Sequence, residues 1–287
     1  MTEITHGYAG MGKLYAEARK GTPEFARYMV QNSGLEQLAN AGHGKPIRIV
    51  EFGVGSGQQT AFVEQELQRS GIANYLLLAI DKSFNPNPEG EPDQLNVLKD
   101  RITKTGEISS RVIPIHYDID GRPLPILDRS VDLSYMAFVH HHLEHKARVM
   151  QEIARITRQG ARHFMFGAAL EDLAEHPLNE FFPSKYRFDT RRYPTKEELK
   201  ALFEQSGFAY QGFHPIMRDD EKPIDRKFLR TVEDKPINSV LVMIENEASE
   251  EFKQGVERIK REVERAEITG QYRTFAIFRT IHRGIKQ

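Results

Sequence analysis

The sequence predicts an α/β protein built around a doubly wound, mostly parallel β-sheet. A short apolar run, 47–52, leads into three closely spaced glycines and then into a helical pattern at 60–69, which is the order strand, turn, helix. Further apolar runs at 75–80, 112–117 and 131–136 alternate with stretches of helical spacing, and this alternation is typical of parallel sheets covered by helices. No internal repeat or low-complexity tract divides the 287 residues.

The turn after the first apolar run carries glycine at alternate positions, Gly53, Gly55 and Gly57. Glycine lacks a Cβ atom, so the backbone can adopt positive φ angles and a ligand can approach it closely. The following helix directs its free N–H groups toward the same point. A dinucleotide-binding turn requires G-x-G-x-x-G. In this chain the last position is Gln58 or, in the second register, Thr60, so the dinucleotide pattern fails.

The pattern E-x-G-x-G-x-G at Glu51–Gly57 resembles motif I of the class I S-adenosylmethionine (SAM)-dependent methyltransferases, and the chain resembles their small-molecule type. The resemblance implies a Rossmann-like, doubly wound seven-stranded sheet, mostly parallel with an antiparallel last strand. It also implies an N-terminal lid, C-terminal cap insertions, and SAM as the cofactor with S-adenosylhomocysteine as its product. A nicotinamide oxidoreductase is the least favoured alternative because the dinucleotide spacing is absent.

Acidic residues follow the next two strands. The strand at 75–80 ends at Asp81, and a carboxylate in this place can accept hydrogen bonds from both ribose hydroxyls of the cofactor. A solvent-facing turn aspartate is the alternative interpretation. The strand at 112–117 is followed by Asp118 and Ile119, where the family places an acid and an apolar residue around the adenine. A simple turn-rich loop is the alternative there.

The strand at 131–136 runs into a histidine cluster, and this stretch resembles the D-L-V and H-H-L segment of the family. Met136 and Ala137 fall where the family contacts the methionine part of the cofactor. Ser134 and Tyr135 depart from the usual aliphatic pair. The candidate cofactor-binding residues are Glu51, Gly53, Val54, Gly55, Gly57, Asp81, Lys82, Asp118, Ile119, Met136, Ala137 and, in the N-terminal segment, Tyr15.

The histidines are the candidate catalytic residues. Methyl transfer to an alcohol, a phenol or a protonated amine needs a base, and histidine is the side chain whose ordinary pKa lies nearest neutrality. His141 is the first candidate, followed by His142 and His140, because they follow the fourth strand at the edge where the methyl group should project. A packing role stays open. We predict no metal site, because the run His140–His142 itself lacks H-x-x-x-H spacing and no cysteine or obvious carboxylate triad accompanies it.

The remaining strands and helices are predicted from the same periodicities. The strands are 162–167, 208–213 and 272–278, and the helices are 94–104, 146–158, 196–205 and 252–263. A turn at 159–160 separates the helix that ends at 158 from the fifth strand.

We expect one methyltransferase domain, 1–287, with an N-terminal lid (1–45), a cofactor-binding core (46–170) and cap segments with the final strands (171–287). The connection 171–195 mixes aromatic and basic side chains, and such connections border the ligand crevice of an open α/β sheet. The basic residues would hold an acidic group of the substrate. Packing of the aromatic residues onto the sheet is the alternative. The candidate substrate contacts are Tyr186, Arg187, Arg191, Arg192 and Tyr193.

Composition limits the expected partners. The 40 Lys and Arg residues balance 41 Asp and Glu residues, whereas binding of long nucleic acid usually requires a basic excess. The sequence has no cysteine, which excludes disulfides and thiolate chemistry and suits a reducing compartment. No signal peptide or membrane-spanning stretch is visible, so we expect a cytoplasmic monomer or homodimer without nucleic-acid or membrane partners.

These observations predict a transferase that moves a methyl group from SAM to an oxygen or nitrogen atom of a small molecule, such as a natural product or an acidic metabolite. Three alternatives stay open: a peptide or protein methyltransferase, an RNA methyltransferase and a non-catalytic SAM-binding subunit. The macromolecular substrates are disfavoured because no Asn-Pro-Pro-Tyr segment follows the fourth strand and no basic excess is present.

Overall fold

The computed structural model describes residues 21–41, 44–83, 93–174, 176–217, 222–234, 239–275 and 278–287. The chain divides into two compact units. The larger, called here the sheet unit, runs to Gly167 and also includes Glu197–His214 and Ile281–Gln287. The smaller, called the helical unit, includes Ala168–Lys196 and Pro215–Thr280.

Seven strands form the main sheet and confirm the predicted fold class. The described strands are β1 Ile47–Phe52, β2 Tyr75–Asp81, β3 Val112–His116, β4 Val131–Ala137, β5 Thr157–Gly167, β6 Phe208–Met217, β7 Lys222–Pro223, β8 Thr274–Phe275 and β9 Phe278–Lys286. The main sheet has the order β3-β2-β1-β4-β5-β9-β6, and β7 pairs separately with β8. Strands β1 to β5 pair in parallel, and β9 is the antiparallel strand.

Helices alternate with these strands. The described helices are α1 Pro23–Gln31, α2 Leu35–Asn40, α3 Gln58–Arg69, α4 Gln94–Thr103, α5 Lys146–Ile156, α6 Leu178–Phe181, α7 Ser184–Asp189, α8 Lys196–Gln205, α9 Arg226–Asp234, α10 Ser239–Glu247 and α11 Ser249–Thr269. Short 3-10 turns lie at His140–His142 and Leu170–Leu173. Within the described ranges, no helix has the length and apolar character needed to cross a membrane.

The strand order reverses between β1 and β4, because the chain moves outward from β1 through β2 to β3 before it returns to β4. At such a reversal a crevice opens beyond the carboxyl ends of the two strands. β1 ends at Phe52, beside the glycine turn, and β4 ends at Ala137, beside the histidines. The topology therefore brings the two predicted motifs to the same edge of the sheet.

The central strands form the core of the sheet unit. β1 exposes only Arg48, and every residue of β4 except Ala137 is buried. α1 contributes Phe25, whose ring stacks on Phe166 with the centroids 4.7 Å apart. Because burial of one such aromatic ring contributes about 1.5–3 kcal/mol, α1 is fixed to the sheet by its apolar face.

The helical unit has a separate apolar cluster. Buried side chains from α6, α7, α9, α10 and α11 and from the loops between them form it, among them Phe182, Ile244 and Ile259. Gly255 of α11 faces Phe182 so closely that a Cβ atom at this position would overlap the phenyl ring. The glycine therefore allows α11 to approach the preceding helices.

The predicted turn at 159–160 is wrong. α5 ends at Ile156, and β5 begins at Thr157. Val131 pairs with Thr157 but Leu133 pairs with Arg162, so the register shifts within β5. Gly160 has a φ of 79°. It therefore forms an irregularity inside the strand, as glycines in bulges do, and not a chain reversal.

The predicted last strand, 272–278, is also wrong. Residues 274–275 form β8, which pairs with β7, whereas the strand that joins the main sheet is β9 at 278–286. The aromatic residues of 272–278 gave a stronger strand signal than β9, which contains several basic residues. Pairing with neighbouring strands outweighs this weak local preference.

Candidate functional site

The glycine turn after β1 has a shape that only glycine adopts easily. Gly53, Gly55 and Gly57 have positive φ angles of 67°, 57° and 78°. A Cβ atom on Gly55 would lie 2.5 Å from Oε1 of Gln94, and one on Gly57 would lie 2.6 Å from Cδ1 of Leu98. Positive φ and close neighbours both disfavour larger residues. The turn at the carboxyl end of β1 therefore requires glycine at these positions.

Hydrogen bonds from the end of β2 hold this turn. The Ile80 carbonyl accepts bonds from the N–H groups of Gly53 at 2.8 Å and Val54 at 3.1 Å. The Asp81 carboxylate accepts a bond from the Gly55 N–H at 2.7 Å and another from the Ser83 N–H at 2.8 Å. Burial raises the pKa of Asp81, and these N–H donors oppose the rise. Asp81 thus positions the turn, and each of its oxygens can accept one further bond.

Glu51, two residues before the turn, is buried. Its Oε2 accepts hydrogen bonds from the hydroxyl groups of Thr60 and Tyr135, both at 2.7 Å. Burial raises the pKa of Glu51 to about 7, and the negative charge of Asp81 adds to the rise. Tyr135, which departs from the family pattern, therefore supplies a donor to the acid of the motif.

The loop after β3 is shaped by Asp118. This exposed side chain accepts a hydrogen bond from the N–H of Asp120 at 3.0 Å, so it closes a turn two residues long. Asp81 and Ser83 make the same type of turn after β2. Asp81 is not solvent-facing, in contrast to its alternative interpretation, whereas Asp118 lies in an exposed turn; a contact of either acid with the cofactor stays a prediction.

The other cofactor candidates differ in exposure. Val54, Ile119 and Met136 are buried, Ala137 is half-buried, and Lys82 is exposed. Tyr15 lies outside the described residues.

The three histidines form a 3-10 turn directly after β4, closed by a hydrogen bond from the His142 N–H to the Val139 carbonyl at 2.8 Å. His140 is buried against Gly167, where a Cβ atom would lie only 2.7 Å from its ring. His141 is buried and His142 half-buried, and their ring centroids are 4.0 Å apart. His140 therefore has a packing role, while the two candidate bases lie side by side.

The candidate substrate residues belong to the helical unit, and three of them are exposed. The side chains of Arg187 and Arg191 are exposed, and Tyr186 is 36% exposed. The guanidinium groups of Arg187 and Arg191 lie over the ring of Phe188, at 5.3 and 5.1 Å from its centroid. This stacking accounts for their position without a ligand.

Arg192, in contrast, is buried, and its guanidinium lies 5.7 Å from the ring centroid of Tyr193. Nearby, Lys185 and Asp189 form a buried ion pair with an N–O distance of 2.5 Å. Burial lowers the pKa of Lys185; Asp189 opposes this, and the charges of Arg279 and Arg192 lower it further. Arg192 is therefore the candidate that lies within a buried group of basic side chains.

Two residues of α4 hold the glycine turn and were not predicted from the sequence. The side chain of Gln94 packs against Gly55. Arg101 is buried, donates a hydrogen bond to the Ser56 carbonyl at 2.9 Å and forms a bidentate ion pair with Glu107. The available signal was the position of Arg101 on the apolar face of α4, three residues after a buried leucine.

Among the described residues, no group of three or more histidine or acidic side chains is arranged to hold a metal ion.

Comparison with known proteins agrees with this geometry. A family model described as a methyltransferase domain matches residues 50–165, the segment that contains the glycine turn, Asp81 and the histidines. The O-methyltransferase resE of Aspergillus sclerotiorum is 23% identical over 229 residues, covering 78% of this chain and 76% of the relative.

Solved structures share the fold. A protein assigned as a methyltransferase of an antibiotic biosynthesis pathway in Anabaena variabilis ATCC 29413 has a TM-score of 0.54 at 17% identity, with coverage of 86% of this chain and 96% of the other. A protein assigned as a methyltransferase in Bacillus halodurans C-125 has a TM-score of 0.53 at 15% identity, with coverage of 88% and 96%.

The matched domain includes the sequence motifs, and the sheet has seven strands with one antiparallel. These findings support a class I SAM-dependent methyltransferase, with residues 50–165 as the segment that matches the methyltransferase domain.

Proposed function

We propose that this enzyme transfers the methyl group of SAM to an oxygen or nitrogen atom of a small molecule. The observation that carries the proposal is the turn of three alternate glycines, all with positive φ and held by the Asp81 carboxylate. A glycine turn beside a carboxylate whose oxygens can each accept one further bond suits the ribose hydroxyls of SAM. Oxygen is the favoured acceptor atom because the relative resE is an O-methyltransferase.

The residues of the sheet unit that would hold the cofactor are the backbone of the glycine turn, Asp81 for the ribose hydroxyls, and the apolar side chains of Ile119 and Met136. Bound SAM supplies a methyl group on a sulfonium, which is a strong electrophile. The main task of the protein is then to hold the acceptor atom in line with that methyl group, at about 3–3.5 Å.

We assign the general base to His141, with His142 as the alternative. Both histidines directly follow β4, at the edge of the sheet that carries the glycine turn. A neutral imidazole can remove the proton of a hydroxyl group as its oxygen attacks, and this help contributes about 10²- to 10⁴-fold in rate.

The acceptor carries an acidic group in this proposal, and Arg192 of the helical unit binds it. The support is the local concentration of positive charge. Burial lowers the pKa of His176 well below its ordinary value, and the charges of Lys185 and Arg279 lower it further. A carboxylate or phosphate is stabilised in such surroundings by charge-assisted hydrogen bonds.

Isothermal titration calorimetry with SAM and S-adenosylhomocysteine tests the cofactor assignment. Wild-type protein should bind both compounds, and Asp81→Ala or Gly55→Val should weaken binding by more than about 1 kcal/mol. Gly71→Ala is the matched control, because Gly71 also has a positive φ, 69°, but a Cβ atom there would meet nothing within 4 Å. Failure of the folded wild-type protein to bind SAM would reject the function.

A panel of hydroxy acids and their amides, assayed with SAM, tests the acceptor assignment. Arg192→Gln should raise KM for the acids by about tenfold or more and change kcat less, while the exposed Arg187→Gln should match the wild type. His141→Gln should lower kcat and leave SAM binding intact. Equal use of acids and amides by the wild type would reject the acidic acceptor and leave the methyltransferase assignment standing.

A further inference from the structure

The sheet unit contains two neighbouring arginines without a carboxylate partner. In the part of the chain that the structure describes, neither Arg162 of β5 nor Arg283 of β9 forms an ion pair. Some arginines of this unit have acidic partners: Arg101 pairs with Glu107 at 2.7 Å and Arg158 with Asp132 at 2.5 Å. The positive charges of Arg162 and Arg283 instead repel each other.

Arg162 is half-buried and closely packed. Its Nη1 lies 2.5 Å from the place that a Cβ atom on Gly34 would occupy, so the guanidinium rests on the backbone of that glycine. Burial lowers the pKa of Arg162, and the positive charge of Arg283 lowers it further. A guanidinium has an ordinary pKa far above neutrality, so Arg162 keeps its charge at neutral pH.

Arg283 is oriented by neutral groups. Its Nη1 donates a hydrogen bond to Oδ1 of Asn32 at 3.0 Å, and its guanidinium lies 5.6 Å from the ring centroid of Tyr28. Tyr28 also stacks on His214, with centroids 4.2 Å apart and an angle of 11° between the rings. The charge of Arg283 is therefore held beside an aromatic pair from α1 and β6.

Two like charges in a partly desolvated place destabilise the protein unless an anion lies between them. Guanidinium groups bind phosphate and carboxylate oxygens in a bidentate manner, and a phosphate dianion balances two of them. We propose that Arg162 and Arg283, with Asn32, Tyr28 and His214 around them, form a binding site for the phosphate group of a small molecule.

This site is separate from the glycine turn. Arg162 lies five residues before Gly167, the last residue of β5. At about 3.3 Å per residue, that places it about 16 Å from the edge of the sheet where the cofactor site lies. A ligand at the arginine pair therefore does not occupy the cofactor site.

Calorimetric titration with inorganic phosphate, at an ionic strength kept constant with sodium chloride, tests the proposal. The wild-type protein should bind phosphate saturably, and Arg162→Gln and Arg283→Gln should each weaken binding about tenfold or more. Arg122→Gln is the matched control, because Arg122 is exposed and belongs to the same unit. All these proteins should bind SAM equally well.

A stability measurement separates a binding role from a structural one. In chloride buffer Arg162→Gln should be at least as stable as the wild type, because the substitution removes a repulsion. Phosphate should raise the Tm of the wild type and of Arg122→Gln but not that of Arg162→Gln. Absence of saturable binding, or equal phosphate affinity in wild type and Arg162→Gln, would overturn the proposal.

Discussion

The Glu51 carboxyl combines complete burial with two hydroxyl donors on one of its oxygens. Neutral donors offset only part of the cost of removing a charge from water, and the nearby Asp81 adds repulsion. The pKa of Glu51 therefore rises from 4.5 to about 7. At the residue scale, the acid of the motif is thus a group whose protonation changes near neutral pH.

A Glu51→Gln variant should reveal this titration in the pH dependence of stability. The folded-state pKa of about 7 is above the ordinary 4.5. The contribution of Glu51 to the free energy of unfolding is therefore fully present below pH 4.5 and is lost as pH rises to 7. Over this window the free energy of unfolding of the wild type should fall by about 3 kcal/mol relative to the variant, at about 1.4 kcal/mol per pKa unit. Urea unfolding at several pH values, in both proteins, provides the measurement.

The glutamine keeps an acceptor oxygen for Thr60 and Tyr135, so the comparison isolates the charge. Parallel stability curves for the two proteins between pH 4.5 and 7 would show that the carboxyl is not perturbed as described.

At the scale of elements, packing at single glycines decides how helices approach. Gly255 lies inside α11, where a glycine normally costs about 1 kcal/mol relative to alanine. Here a Cβ atom would overlap the ring of Phe182 and lie 2.8 Å from the carbonyl of Phe181. Glycine occupies this position despite its lower helix propensity, because a larger residue would not allow the close contact with Phe182.

Gly255→Ala should therefore destabilise the protein, although the helix propensity improves. Overpacking typically costs about 1–3 kcal/mol, which exceeds the gain in propensity. Thermal unfolding followed by circular dichroism measures the effect. Gln254→Ala, at an exposed position of the same helix, is the control and should change the Tm little. A Gly255→Ala protein more stable than the wild type would contradict the packing described for α11.

At the scale of the whole molecule, the two units carry different candidate roles. All described cofactor candidates belong to the sheet unit, and all substrate candidates belong to the helical unit. Within the described part of the chain, the helical unit consists of the segments 168–196 and 215–280, which interrupt the sheet unit. Such a division allows one cofactor site to serve different acceptors when the inserted segments change.

Hydrogen exchange with and without SAM should show this division. The cofactor should slow exchange in peptides that cover 52–60 and 80–83. SAM binding stabilises the folded conformation in which the N–H groups of these peptides are protected from solvent. Peptides from α11 should be unchanged and serve as the internal control. Slower exchange confined to the helical unit would place the cofactor elsewhere and contradict the assignment of the glycine turn.

Local patterns predicted much of the site. The glycine turn, the acid at the end of β2 and the histidines after β4 are each defined by residues close together in the sequence, and strand topology brings them to one edge. The bond from Tyr135 to Glu51 joins residues 84 positions apart, and the bond from Arg101 to Ser56 joins residues 45 apart. No periodicity within one element indicates such partners.

The order of strands β1 to β6 and the glycine turn after β1 were determined by the sequence alone, because backbone periodicity and glycine conformation depend on residues only a few positions apart. The tertiary structure decided the bulge at Gly160, the strand at 278–286 and the meeting of Arg162 with Arg283. These features depend on which distant segments pair and pack, and that choice is made by the burial and hydrogen bonding of the whole chain.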